Sequence, residues 1–327
     1  MRFGVVVQGP YLGSYTLEAC RKYRTLYRDA QVVLSTWKDD AQSLAPHLED
    51  LHGLDIVIVQ SPRPEVPGPN NVNLQLTTTL NGLRALEGSQ ISHVMKCRTD
   101  VTVEADVRSL LSRLLQDYPR RFPEGAERVV LAQTFTRTGI PYHASDMVML
   151  GSFDDLRTYF EAPFRAASDP SGRDWLSWPL RERLYSERGG TAHVEQYLCA
   201  TYLKRIGWAL RYSITDWHDA LAQVFCVVDD RMLGFRWLKT GNAYGASSWF
   251  NRDFIYPKRS PFSVNSSFIC RRVTHESWLK ILGGKRRKID VGHHEELVGL
   301  ANLCWMLRDV PDLALLATAR LRKKVLS

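Results

Sequence analysis

Arg98, Thr99 and Asp100 interrupt a short apolar run over residues 91–103, setting a guanidinium and a carboxylate two positions apart. The run reads as a buried strand with charge at its exit. In an open α/β sheet, ligands collect beyond the carboxyl ends of the strands, so both groups can face one anionic ligand there. A divalent cation typically takes one or two protein carboxylates plus substrate phosphates, which makes Asp100 the candidate metal ligand, while Arg98 pairs with phosphate directly. The same residues also read as an Arg–Asp ion pair capping a strand. His293-His294-Glu295-Glu296 looks superficially like a metal cluster, but neighbours on a helix point in different directions. Glutamates in a helix's first turn account for it better.

Composition narrows the classes. A chain of 327 residues with 44% hydrophobic and 24% charged residues has the make-up of an ordinary globular protein with a large core. Its net charge of +8 favours anionic partners such as nucleotide phosphates, acidic glycans or a phospholipid surface. A basic stripe with interleaved aromatics is missing, so nucleic acid is not an expected partner. The cysteines at 20, 97, 199, 226, 270 and 304 are scattered without a Cys-x-x-Cys pair, which points to free thiols rather than a zinc site or a disulfide framework. The first apolar run is too short for a signal peptide, and no stretch reaches the roughly 20 apolar residues of a bilayer span. A cytoplasmic protein follows, with contact at the inner face of the cytoplasmic membrane left open.

The elements that must position Arg98 and Asp100 alternate between β and α patterns. Strands are expected at 3–7, 31–35, 55–59, 128–136, 147–150 and 208–214, and helices from Thr16, over 41–51, from Asn71, over 104–116, from Phe153 and from Thr191. Such alternation implies a doubly wound, largely parallel sheet. Gln8, Trp37 and Ser61 then sit at strand exits. Residues 61–70 carry four prolines and a glycine and read as a loop beside those exits. Asn71 or Asn73 caps the helix that follows, leaving the other amide to a ligand or to the turn. A change to Trp, Arg, Pro and Ser over 161–190 suggests an irregular acceptor-side insertion. Two helices close the chain at 294–308 and 312–324, the second ending in Arg320, Arg322, Lys323 and Lys324; they read as solvated amphipathic helices or as a surface for anionic lipid. The division expected is 1–160 as one α/β half, 161–222 as the other half of the same domain, and 223–327 as a mixed, then helical, C-terminal extension.

Six runs in order, Val5-Val6-Val7-Gln8-Gly9-Pro10, Val33-Leu34-Ser35-Thr36-Trp37, Asn71-Val72-Asn73-Leu74-Gln75, Lys96-Cys97-Arg98-Thr99-Asp100, His143-Ala144-Ser145-Asp146 and Glu195-Gln196-Tyr197, resemble the WavE-type lipopolysaccharide-synthesis proteins over roughly residues 3 to 200. Leu74 stands where that resemblance leads one to expect a basic residue. The resemblance implies a fold similar to the GT-A glycosyltransferases: a Rossmann-type mixed sheet flanked by helices that binds a nucleotide sugar and passes its sugar to a bacterial surface glycan or glycolipid, such as lipopolysaccharide core, O-antigen or capsule. A fold retained only for glycan binding or assembly is the alternative. By this implication Gln8, Gly9, Trp37, Ser61, Asn71, Asn73, Gln75, Arg98 and His143 surround the donor, and Asp100 with the late histidine His218 holds Mn²⁺ or Mg²⁺. Arg98, standing where such enzymes usually carry a first aspartate, admits a metal-independent variant. Glu195 and Asp146 are the candidate bases for the acceptor hydroxyl, Glu195 being preferred for its place near a helix start. Asp146 and His143 otherwise orient hydroxyls.

Overall fold

Phe3–Gln8 is an uninterrupted buried run rich in β-branched residues, and it forms the inner strand β1 of a seven-stranded sheet. The structure, a computed structural model, describes residues 1–171, 182, 186–238, 242–243 and 274–283. Strands β2 (Gln31–Trp37), β3 (Ile56–Ser61) and β4 (His93–Arg98) run parallel to β1 in the order β3-β2-β1-β4. Beyond β4, the strand Val148–Ser152 pairs antiparallel, then Val129–Ala132 and Phe225–Val228 complete the sheet. The sheet is thus mixed and Rossmann-like. After Arg98 the chain leaves it: β5 (Val101–Val103) pairs antiparallel with Phe235–Trp237 in a separate three-stranded ladder. The run over 91–103 is therefore two strands in two sheets, hinged at Thr99 and Asp100. In chain order the later strands are β6 (Val129–Ala132), β7 (Val148–Ser152), β8 (Phe225–Val228), β9 (Phe235–Trp237) and β10 (Asn242–Ala243).

The longer helices are α1 (Ser14–Leu26), α2 (Val72–Arg84), α3 (Val107–Asp117), α4 (Phe153–Phe160), α5 (Val194–Arg205), α6 (Ile214–Gln223) and α7 (His275–Leu282). Helix α2 packs on β1, β2 and β3, and Gly82 permits the close approach: a Cβ there would come within 2.5 Å of Val6 Cγ1 and 3.1 Å of Ser35 Cβ. The helix expected over 41–51 is broken into Ala41–Leu44, Ala45–His47 and Leu48–Gly53, with Pro46 in the middle, tight turn.

Two expectations are corrected. Residues 208–212 form no strand; Ser213 accepts a hydrogen bond from Asp216 N and caps α6, so Asp216 to Asp219 lie on a helix rather than at a strand exit. The helix expected from Thr191 begins three residues later, with His193 at its cap position. The two C-terminal helices with their basic cluster and the His293 to Glu296 run lie outside the described residues. Among the described residues no helix is long and apolar enough to cross a membrane.

Candidate active site

Register aligns the carboxyl ends of the parallel strands: Gln8 stands beside Ser35 and Arg98, and Trp37 beside Ser61. Strand β7 runs the other way, so the loop that precedes it, with His143 and Asp146, arrives at the same edge. Helix α5 brings Glu195 there. Those four groups, Arg98, His143, Asp146 and Glu195, share one electrostatic neighbourhood.

Asp100 is 1% exposed and fully engaged. Arg98 donates to it twice, Nε to Oδ1 at 2.9 Å and Nη2 to Oδ2 at 3.0 Å, and Trp237 Nε1 donates to Oδ2 at 2.9 Å. Burial would raise the carboxyl's pKa, but Arg98's hydrogen bonds and charge, with the indole N–H, hold it below the usual range. Arg98 itself keeps 41% of its side chain exposed. Burial disfavours its charge less than Asp100, Asp146 and Glu195 favour it, so the guanidinium is held firmly ionised.

A divalent cation does not fit this arrangement. Both oxygens of Asp100 are engaged by donors, Oδ1 by Arg98 and Oδ2 by Arg98 and Trp237, so neither is presented to a cation. His218, expected as a second ligand, is instead on helix α6 with Nε2 3.1 Å from Thr138 O.

Glu195 is 20% exposed, with Oε2 3.9 Å from His143 Nε2. Burial, then the charge of Asp146, push its pKa from 4.5 to about 7, against the pull of Arg137 and Arg98. His143 goes the other way: burial, then His193 and Arg137, hold it well below its ordinary value. It is neutral near pH 7. Its Nδ1 lies 2.7 Å from Phe135 O, which selects the Nδ1–H tautomer and turns the Nε2 lone pair toward Glu195. Asp146 accepts from Gln75 Nε2 at 2.6 Å, and its backbone oxygen accepts from Lys96 Nζ.

Other expected donor contacts are placed less openly. Trp37 is 2% exposed and carries the Arg63 guanidinium 4.9 Å over its ring, so it is a core residue with no face free for a base. Ser61 is buried and accepts from Asn81 at 2.7 Å; Gln8 is buried and accepts from Thr78 at 2.7 Å. Asn73 gives both sides of its amide to backbone, donating to Val66 O at 2.9 Å and Arg165 O at 2.8 Å and accepting from Arg165 N at 2.8 Å. It fastens two loops, with both N–H groups of its amide given to backbone. Asn71 is exposed in the left-handed region at the start of α2, without a side-chain cap bond. Gly9, at φ 127°, is required by its backbone and by Thr99 Oγ1, 3.1 Å from where a Cβ would stand.

Sequence reasoning passed over Lys96, Arg137 and Trp237. Lys96 is fully buried in β4, its ammonium 5.1 Å from the Phe160 ring centre, and burial brings its pKa down to about 8. A lysine inside His-Val-Met-Lys-Cys-Arg was the available signal. The large cleft of about 650 Å³ bounded by Met1, Gln116, Arg120 and Glu124 lies at the opposite, amino edge of the sheet and belongs to none of this.

Comparison with known proteins supplies the lineage. Structural likeness is slight. A putative glucose-1-phosphate thymidylyltransferase from Bacillus anthracis aligns at TM-score 0.35 and 8% identity over 65% of this chain and 99% of its own. A mannose-1-phosphate geranyltransferase from Thermus thermophilus gives 0.31 and 11% over 49% and 64%, and the galactosyltransferase LgtC, in complex with donor and acceptor sugar analogues, 0.31 and 13% over 47% and 59%. The chain thus spans under two thirds of the latter two, and at these scores the likeness adds nothing to what the sheet topology shows. No curated protein sequence matches. The profile of one family, described as WavE lipopolysaccharide synthesis, matches residues 3–225, which takes in six of the seven strands of the main sheet whole and the first residue of the seventh, β8. With more than half its length matched, this chain belongs to the WavE lipopolysaccharide synthesis family.

Proposed function

We propose that this protein is a glycosyltransferase that moves a sugar from a nucleotide-sugar donor onto a hydroxyl of a bacterial surface glycan or glycolipid, working at the cytoplasmic face of the membrane. The observation that carries this reading is the pairing, at one sheet edge, of a partly exposed, ionised Arg98 with a carboxylate that is mostly but not wholly buried, Glu195, whose pKa is raised to about 7. Glycosyl transfer needs both kinds of group. Negative charge gathers on the departing nucleotide diphosphate as the sugar passes through an oxocarbenium-like state, and the acceptor hydroxyl must lose its proton.

In the proposed step the acceptor oxygen bonds to the anomeric carbon, the bond from that carbon to the diphosphate breaks with its electron pair leaving on phosphate, and the hydroxyl proton passes to Glu195. A base poised near the working pH combines availability with strength. His143, neutral and with its Nε2 lone pair toward Glu195, adds no competing positive charge. Asp146, steered by Gln75 and Lys96, orients hydroxyls of donor or acceptor.

Incubating the purified protein with a panel of nucleotide sugars and lipopolysaccharide-core acceptors, and following nucleoside diphosphate release, tests the proposal. Acceptor-dependent release is expected from wild type and not from Glu195→Gln, which still binds donor. Full activity in that variant would move the base to Asp146, and donor or acceptor binding with no turnover by wild type would favour a non-catalytic glycan-binding role.

A further inference from the structure

Resting on that reading of the site, we infer that Arg98, clamped by Asp100, takes the place of a divalent cation in neutralising the donor's diphosphate. Asp100 is then a positioning residue, not a metal ligand.

The geometry argues this on both sides. A carboxylate that binds a cation must offer at least one oxygen outward, whereas Asp100 is buried and receives N–H donors from Arg98 and Trp237. Its backbone is pinned as well, with its carbonyl accepting from Leu238 N at 2.9 Å. The clamp fixes Nε and Nη2 of Arg98 and does not use Nη1, on a side chain 41% exposed. Guanidinium planes present such donors in a fork that matches phosphate oxygens, and immobilisation in advance lowers the cost of binding.

Charge around the fork agrees. Among the described residues, Arg98, Lys96 and Arg137 are cations of this neighbourhood, and Asp100, Asp146 and Glu195 its acids. With Glu195 protonated, one positive charge stands uncompensated; with it ionised, none does. While Lys96 holds its proton, below its pKa of about 8, an arriving diphosphate therefore meets a site that carries no net negative charge.

Calorimetric titration of the full chain with UDP, GDP, dTDP, ADP and inorganic pyrophosphate, each in EDTA and again with Mn²⁺ or Mg²⁺, decides the matter. The nucleotide that binds is expected to do so in EDTA, with a Kd altered less than about twofold by either ion and weakened about tenfold or more by Arg98→Ala, a loss of about 1.4 kcal/mol or more. Arg98→Lys, which keeps the charge but not the fork, falls between. Asp100→Asn should weaken binding several-fold with an unchanged circular dichroism spectrum. A Kd that tightens about tenfold or more with Mn²⁺, the gain vanishing in Asp100→Asn, makes Asp100 a cation ligand and overturns the inference while leaving sugar transfer standing. Should none of these nucleotides bind in any buffer, the nucleotide-sugar reading falls with it.

Discussion

Burial of Glu195 beside Asp146 sets activity and stability in opposition, and both can be measured. The folded carboxyl, at about 7 instead of 4.5, holds its proton while the unfolded one has lost it, so native stability falls as pH rises through that window, by roughly 3 kcal/mol. As a base, however, Glu195 works only once deprotonated, so the acid limb of turnover should lie near pH 7. Glu195→Gln removes both effects: it should abolish transfer, yet melt at higher temperature than wild type at pH 8, by the equivalent of about 1–3 kcal/mol, with little difference left near pH 5. Equal melting shifts at the two pH values would show that the carboxylate is not strained by its surroundings. At this scale the sequence already read Arg98 and Asp100 as an ion pair at the end of a strand, and the structure forms it, but the full set of donors on Asp100 was not legible. Its second donor, Trp237, is 137 positions away and no local spacing announces it.

Strand and helix alternation was readable because β1, β2 and β4 are buried along nearly their whole length and carry an apolar run in each. The failure at 208–214 has a polar cause. The apolar and polar residues alternate there as in a strand, but the Asp216 carboxylate accepts from Trp208 Nε1 at 3.2 Å and from Arg211 N at 2.8 Å and is also bonded by Tyr142 OH. Those bonds curl the segment, with Tyr212 at φ 47°, before α6 begins. Phe135 and Tyr142 are likewise left-handed, at φ 67° and 57°, in the loop that delivers His143, and such conformations persist only where neighbours hold them. Two element-level predictions follow from close fits. Gly82→Ala drives a methyl into Val6 and should cost about 1–3 kcal/mol in urea unfolding, since α2 cannot move off a fully packed sheet. Asn73→Ala unfastens the 61–70 loop from Arg165, whose Nη1 also bonds Thr191 O, just ahead of the helix bearing Glu195. Leaving buried backbone groups unpaired should cost about 2–4 kcal/mol and raise KM for the donor more than it lowers kcat. A variant as stable as wild type would dismiss the clasp.

For the molecule as a whole, the matched family segment ends at residue 225, yet residues beyond it are bonded into that segment. Strand β9 supplies Trp237 to Asp100, and helix α7 lays Trp278, wholly buried, against Tyr118 at 5.1 Å between ring centres and 5.5 Å from the Arg128 guanidinium, with its Nε1 donating to Leu221 O at 2.9 Å. These tryptophans do different work and should be separable. Trp278→Ala opens a cavity far from Arg98 and is expected to lower stability by about 3–5 kcal/mol while the molecules that remain folded bind nucleotide as before. Trp237→Phe keeps most of the packing but takes the indole N–H from Asp100. It should cost about 1–3 kcal/mol of stability while loosening the Arg98 fork, so that diphosphate affinity falls several-fold at a temperature where both proteins are fully folded. If affinity instead followed stability through both variants, falling furthest in Trp278→Ala, the C-terminal ladder would be a general brace and not a part of the site.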